Sequence, residues 1–411
     1  MSGTNASERP KSDESLKGYN ICVIYDCLFP LTHGGAERWY RYLVDRVVAT
    51  GATVTFLTRR QWTGEAPSWS GVTITGVSSG GELYDEVGTR RTGPAVRFGL
   101  GTFSWMIRHR RGYDAVIVAS FPFFSFLASR SALAGTGTPI FVDYHEVWSA
   151  KYWRSYAGRF TGVLGAAIQR LCISLTRFAQ VFTAESARRL KAQGLRGNVI
   201  VLAGLLPEVP QARPSTSAAP EPVVLFVGRH VQHKGVRLLP EIFAATQKSL
   251  PSLQMVVVGD GPERARVEAE VARLGLTAVV SFTGAVSDEE LGLLYARASC
   301  TIVPSFREGY GMVVAESAAA GTPVVVADYP ENLATSLVVS GVNGYVVDPS
   351  VTGISRGIAA AIEAGQALRE STGKWSEENA RSIGMNRSAD EMIQRLAQNA
   401  SRRNSGRPPR R

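Results

Sequence analysis

Short β-branched runs alternate with amphipathic segments along this chain, and the alternation restarts once after a break rich in proline, serine and alanine. The runs ICVIYD (21–26), TVTFLT (53–58), DAVIVAS (114–120), PIFVD (139–143) and NVIVL (198–202) are separated by helical patterns such as 36–48 and 159–178. Strands that alternate with helices predict a parallel sheet covered on both faces. The break, PEVPQARPSTSAAPEP (207–222), reads as an interdomain linker. Beyond it, PVVLFVG (222–228), LQMVVVG (253–259), AVVSF (278–282), CTIVP (300–304) and PVVVA (323–327) repeat the same grammar. The expected fold class is α/β, with two Rossmann-like, doubly wound parallel-sheet domains facing across a cleft. A chain of 411 residues is long enough to fill two cores.

The pattern divides the chain into a disordered start (1–18), a first domain (19–206), the linker (207–221) and a second domain (222–385). A C-terminal helix (386–400) and a basic disordered tail (401–411) follow. Helices are expected near 353–364 and 389–399. Such a pair of sheets would bind ligands at the carboxyl edges of its strands, in the cleft between the domains.

Net charge is +10, and the last eleven residues, SRRNSGRPPRR, supply half of it with five arginines. A basic tail suits nucleic acid or anionic lipid, but a solvated chain end accounts for it as well, and nucleic acid is the disfavoured partner. The first twenty residues carry no apolar signal-like core, and the longest uncharged stretch (115–129) is too short to span a bilayer. Cys22, Cys27, Cys172 and Cys300 lack zinc-ligand or CxxC spacing, which points to reduced thiols and a cytoplasmic protein. The cationic, aromatic stretch RFGLGTFSWMIRHRR (97–111) fits either an amphipathic helix on its own sheet or a peripheral contact with anionic lipid at the inner membrane face.

The run SFREGYGMVVAESAAAGTPVVV carries Glu308 and Glu316. It reads as a loop after a buried strand, followed by an Ala-rich helix over 311–320. Glu308 therefore stands at a strand's carboxyl end and Glu316 within the helix fed by that loop. Carboxylates there can accept hydrogen bonds from paired hydroxyls, while free amides of the first helical turn hold phosphate. Diols with phosphate indicate a sugar nucleotide. In VGRHVQHKG, Arg229 and Lys234 are five residues apart on the loop after the strand that opens the second domain, and can converge on a diphosphate.

Taken in order, Gly228-Arg229 with Lys234-Gly235, Gly259-Asp260-Gly261-Pro262, Phe282-Thr283-Gly284, Pro304-Ser305 with Glu308-Gly309-Tyr310-Gly311, Glu316, and Gly321-Thr322-Pro323-Val324-Val325 resemble the retaining GT-B glycosyltransferases of family 4. In the first domain, Gly34-Gly35-Ala36-Glu37 is similar to the family's glycine-rich loop, and His145-Glu146 to its histidine motif. The chain departs from the pattern at Ala203-Gly204-Leu205, where the family commonly has an Asn-Gly turn.

The resemblance implies roles at matching positions. The catalytic set would be His145, Arg229, Lys234 and Glu308. The donor site would comprise Gly34, Gly35, Gly228, Gly309, Tyr310, Gly311, Met312, Val313 and Glu316. Arg229 and Lys234 would stabilise the departing diphosphate, Glu308 would hold sugar hydroxyls and Glu316 the ribose. The chain has no Asp-x-Asp, so no metal or other cofactor is expected, and a UDP- or GDP-sugar would be the co-substrate. The acceptor would be a glycan, a lipid-linked sugar or a small molecule. A sugar phosphorylase, a nucleotide-sugar hydrolase or epimerase, and a non-catalytic sugar-nucleotide binder remain open as alternatives. Trp148, Tyr152, Trp153 and Tyr156 form a dense aromatic group that suits either sugar stacking or packing between domains.

Overall fold

The computed structural model describes residues 15–83, 90–207 and 222–404. The expected linker 207–221 lies outside them save for Pro207, as does most of the expected disordered start and tail.

In the first domain the chain runs β1 (Asn20–Ile24), α1 (Gly35–Ala49), β2 (Thr53–Arg59), β3 (Val72–Ser78), α2 (Thr92–Arg108), β4 (Ala115–Ala119) and α3 (Phe123–Ala132). It continues β5 (Ile140–Asp143), α4 (Ala150–Ala157), α5 (Arg159–Leu175), β6 (Phe178–Val181), α6 (Ala184–Ala192) and β7 (Asn198–Val201). The seven strands lie in the order β3-β2-β1-β4-β5-β6-β7, all parallel.

The second domain holds β8 (Val223–Val227), α7 (Leu239–Gln247), β9 (Gln254–Val258), α8 (Arg264–Arg273), β10 (Val280–Gly284), α9 (Asp288–Arg297) and β11 (Cys300–Val303). Then come β12 (Arg307–Glu308), α10 (Met312–Ala319), β13 (Val324–Ala327), β14 (Glu331–Asn332), β15 (Gly344–Val347), α11 (Val351–Ala380) and α12 (Met385–Asn404). Its main sheet has the parallel order β10-β9-β8-β11-β13-β15, and β12 pairs with β14 beside it. Both sheets are the α/β arrangement expected. Strand order reverses direction between β1 and β4 in one sheet and between β8 and β11 in the other, and ligands settle at such crevices.

Several elements differ from expectation. β3 has a half-exposed, threonine-rich edge, so it lacks the apolar density that marks a buried strand. The helical pattern 159–178 runs on into β6, because Thr176 turns the backbone to an extended conformation at the end of α5. β15 is only four residues long. The helix expected near 353–364 extends to Ala380, with a break at Gly365, whose φ is 52°. Residues 15–18 form a turn that buries Leu16 completely, so the expected disordered start ends earlier. The terminal helix reaches Asn404, four residues into the expected tail.

α12 crosses back to the first domain. Its Ala389, Met392, Ile393 and Leu396 join a core with Trp39, Leu43 and Val47 of α1. The Ser388 hydroxyl accepts from the Gly204 amide at 2.8 Å, and backbone bonds tie Leu206 to Ile383 and Met385.

Candidate active site

A cavity of about 500 Å³ opens between the two sheets, lined from both domains. All thirteen residues singled out in the sequence line it: Gly34, Gly35 and His145 from the first domain, and the ten from Gly228 to Glu316 from the second.

On the second domain, β8 ends at Val227, and a 3-10 turn over Gln232–Lys234 carries the lysine back toward the sheet edge. Lys234 Nζ lies 2.7 Å from Glu308 Oε1 and 2.9 Å from Oε2. The Ser305 hydroxyl donates to the same Oε1 at 2.8 Å. Glu308 is thus held at β12 by one cation and one hydroxyl, each charge-assisted bond worth about 1.5–3 kcal/mol. Arg229 is exposed at the mouth of the cleft.

α10 begins at Gly311, whose φ of 102° suits glycine, and a Cβ there would stand 2.4 Å from Ala334 Cβ. Glu316 lies on this helix, buried, and accepts from the Tyr295 hydroxyl at 2.9 Å and from Arg38 of α1 at 3.1 Å. Burial pushes its carboxyl upward, opposed by Arg38 and Tyr295.

The two domains meet closely over the cleft floor. A Cβ on Gly309 would lie 2.1 Å from the His145 carbonyl oxygen, and one on Gly35 would lie 2.6 Å from Met312 Cγ. Tyr310 turns its ring toward the first domain, at 6.0 Å from Phe182, so its side chain packs between domains, and the residue lines the cavity. Arg189 of α6 donates to the Pro330 carbonyl at 2.9 Å and ion-pairs with Glu331.

His145 follows β5 and sits in an aromatic box, stacked on Phe182 at 6.0 Å and edge-on to Tyr40 at 5.5 Å. Burial pulls its imidazole down to about 4, so the ring is neutral at physiological pH. Its buried Nε2 has no protein partner. Burial and the neighbouring cations Arg307, Lys234 and Arg229 likewise lower His233, which lines the same cavity.

Sequence reasoning passed over several cleft residues. Glu146, given no role of its own beside His145, lies in the cleft, where burial presses its carboxyl up but Arg307 and Trp148 outweigh that and hold it low. Glu37, next to the quoted glycines, is pushed up by burial against the opposing pull of Arg229. Arg38 reaches Glu316 from 278 positions away, which no local pattern signals. Arg90 lines the first-domain wall, ion-paired with buried Asp26. Arg307 lies over the rings of Trp148 (4.3 Å), Tyr152 (4.9 Å) and Tyr156 (5.9 Å), so three of the four aromatic residues pack around a cation from the other domain, while Trp148, Trp153 and Tyr156 also line the cavity.

Comparison with known proteins agrees with this geometry. Residues 210–380 match the family described as "Glycosyl transferases group 1", and residues 34–204 match "Glycosyl transferase 4-like domain". A 2-deoxystreptamine glucosyltransferase of Streptomyces kanamyceticus is 38% identical over 103 residues, covering 25% of this chain and 27% of that protein. A D-inositol 3-phosphate glycosyltransferase of Nocardiopsis dassonvillei is 31% identical over 185 residues, 42% of each chain. The matched stretches thus span well under half of these curated relatives. Among solved structures, sucrose-phosphate synthase from Thermosynechococcus elongatus superposes with a TM-score of 0.79 at 21% identity, over 92% of this chain and 98% of that one. Anabaena HepE in complex with UDP and glucose superposes at 0.69 and 17% identity, over 92% and 99%. These two likenesses establish the GT-B fold. With both halves matched in order, the chain belongs to the group 1, family-4-type glycosyltransferases.

Proposed function

We propose that the chain transfers a hexose from a UDP- or GDP-sugar to a hydroxyl of a glycan, lipid-linked or small-molecule acceptor, with retention of anomeric configuration and without a metal ion. We place it in the cytoplasm or at the inner face of the membrane. The observation that carries the reading is the Lys234–Glu308 pair beside Arg229, set at the strand-order reversal of the second sheet and facing His145 across the Gly309 contact.

In this reading the bond between the anomeric carbon and the diphosphate oxygen breaks as the acceptor oxygen bonds on the same face. The acceptor's proton passes to the departing diphosphate. Positive charge grows on the sugar and negative charge on the leaving group. Arg229 and Lys234 meet that negative charge, and fixed groups aimed at developing charge are a large catalytic lever. Glu308, partnered by Lys234 and Ser305, is placed to orient sugar hydroxyls. The neutral His145 ring, with Nε2 unpartnered, is ready to bond a sugar hydroxyl near the anomeric carbon. Glu316 receives the ribose, and the α10 amides receive phosphate. The name of one relative, a glucosyltransferase, and the UDP and glucose bound in HepE support a UDP-hexose as first choice.

Thermal-shift screening against UDP, GDP, ADP and their sugars identifies the donor, because a ligand stabilises by RT ln(1 + [L]/Kd). A transfer assay with that donor then tests the roles. Lys234→Ala and Glu308→Ala should each lower turnover by on the order of a hundredfold. Near-normal rates in both would overturn the assignment. Sugar release without acceptor would instead indicate a hydrolase, and a sugar phosphate product a phosphorylase.

A further inference from the structure

Twelve large apolar side chains are exposed among the described residues, and eight of them lie on α2 and α5. On α2 they are Leu100, Phe103 and Ile107, spaced three and four apart and opposite the buried Phe98, Thr102 and Met106. On α5 they are Phe160, Val163, Leu164, Leu171 and Leu175, one stripe opposite the buried Gln169, Cys172 and Ile173. Helix α3 packs between these two helices on the same side of the sheet. Phe160 is 89% exposed, an arrangement water alone does not favour.

The charge around these stripes has one sign. Helices α2 to α5 contain no acidic residue. From 92 to 184 the only acids are Asp114, Asp143 and Glu146. Asp114 and Asp143 are buried, and Glu146 is engaged by Arg307 inside the cleft. Arg97, Arg108, Lys151, Arg154, Arg159 and Arg170 are all exposed on the same helices.

We infer that the outer face of α2 and α5 docks on an anionic lipid bilayer, apolar stripes among the acyl chains and arginines among the headgroups. A second copy is a poor occupant, because it would press cation against cation. Spanning is not involved, since no helix among the described residues is long and apolar enough to cross a membrane. The same helical layer borders the reaction cavity, through Trp153 of α4 and Gln169 of α5, so the bilayer would lie beside the first-domain wall of the cleft. The inference stands whether or not the transfer reading holds.

The full chain is mixed with phosphatidylglycerol-containing vesicles, or with pure phosphatidylcholine vesicles, at low and high salt, and sedimented. It should pellet with the anionic vesicles at low salt and severalfold less with neutral ones or at high salt. Leu164→Asp with Leu171→Asp should abolish pelleting at unchanged Tm. Arg159→Glu with Arg170→Glu should weaken it by at least about fivefold per cation. Should the double aspartate variant lose Tm, Phe160→Ser replaces it, with a severalfold loss expected. Replacing Arg407, Arg410 and Arg411 by serine should leave pelleting intact. The inference is overturned if anionic vesicles bring down no protein at low salt, or if the α5 substitutions leave pelleting unchanged. It is equally overturned if the tail variant alone abolishes it, or if sedimentation velocity shows a dimer that Leu164→Asp with Leu171→Asp splits.

Discussion

Arg307 and Glu146 form an ion pair across the cleft, Nε to Oε2 at 3.0 Å, while the Arg307 guanidinium donates to the Tyr152 hydroxyl at 2.8 Å. Each stands one residue from a proposed catalytic group, Glu146 after His145 and Arg307 before Glu308. The contact therefore sets the separation of those two groups. A desolvated cation–aromatic contact is worth about 2 kcal/mol, or roughly thirtyfold. Arg307→Ala should lower turnover by about that factor and enlarge the donor-saturated molecule in small-angle scattering. Wild-type turnover and dimensions would show that the pair does not hold the domains together.

Gly309 offers a sharper test, because its hydrogen points at the His145 carbonyl. A methyl group placed 2.1 Å from that oxygen cannot be accommodated without separating the domains. Displacement of reacting groups by an ångström costs about a hundredfold. Gly309→Ala should lose transfer by about that much while UDP or GDP still raises its Tm, since Arg229, Lys234 and Glu316, the groups read as nucleotide contacts, are unchanged. Retained transfer would mean that the domains react from a wider setting.

His145 fixes a pH dependence of known sign. Its folded pKa of about 4 lies below the ordinary value for imidazole, so the folded state binds the proton less readily than the unfolded chain. Its contribution to stability is complete above about pH 6.5 and is lost as pH falls through 4. His145→Asn should reduce the fall in Tm over that window, and the wild-type rate should show no His145 titration between about pH 6 and 8. A rate limb near pH 6.5 that disappears in the variant would contradict the buried neutral ring.

Asp143, two residues earlier, works in the opposite direction. Burial at the end of β5 pushes its carboxyl up to about 7, against the pull of Tyr40 and Trp39. The folded state then holds its proton more tightly than the unfolded chain, so stability declines as pH rises from about 4 to 7 and is level above. Asp143→Asn should gain on the wild type across that window, by up to about 4 kcal/mol in denaturant titrations. A constant difference from pH 4 to 8 would show that burial does not raise the Asp143 carboxyl.

The sheets were legible because parallel strands buried on both faces, such as β4 and β11, are continuous apolar runs. β3 escaped notice because its edge position lets threonines alternate with apolar residues. In the cleft, Arg229, Lys234, Glu308 and Glu316 could be read because each lies on a loop after a strand or in the helix fed by such a loop, positions that local pattern identifies. Arg38 and Arg307 could not be, since their value comes from partners in the other domain. Nor could the face on α5, whose residues read equally well as a buried stripe until the structure left them in water.

The return of α12 to the first domain means that the chain passes between the domains twice, once through the linker region and once near Ile383, where Leu206 binds it. Two neighbouring crossings act as paired pins on a door. They permit rotation about the line joining them and resist twisting or sliding, so cleft opening is channelled along one path. The same crossing makes each half an incomplete folding unit: a chain cut at the linker leaves the first domain without the helix that covers α1, and the second with the apolar face of that helix exposed.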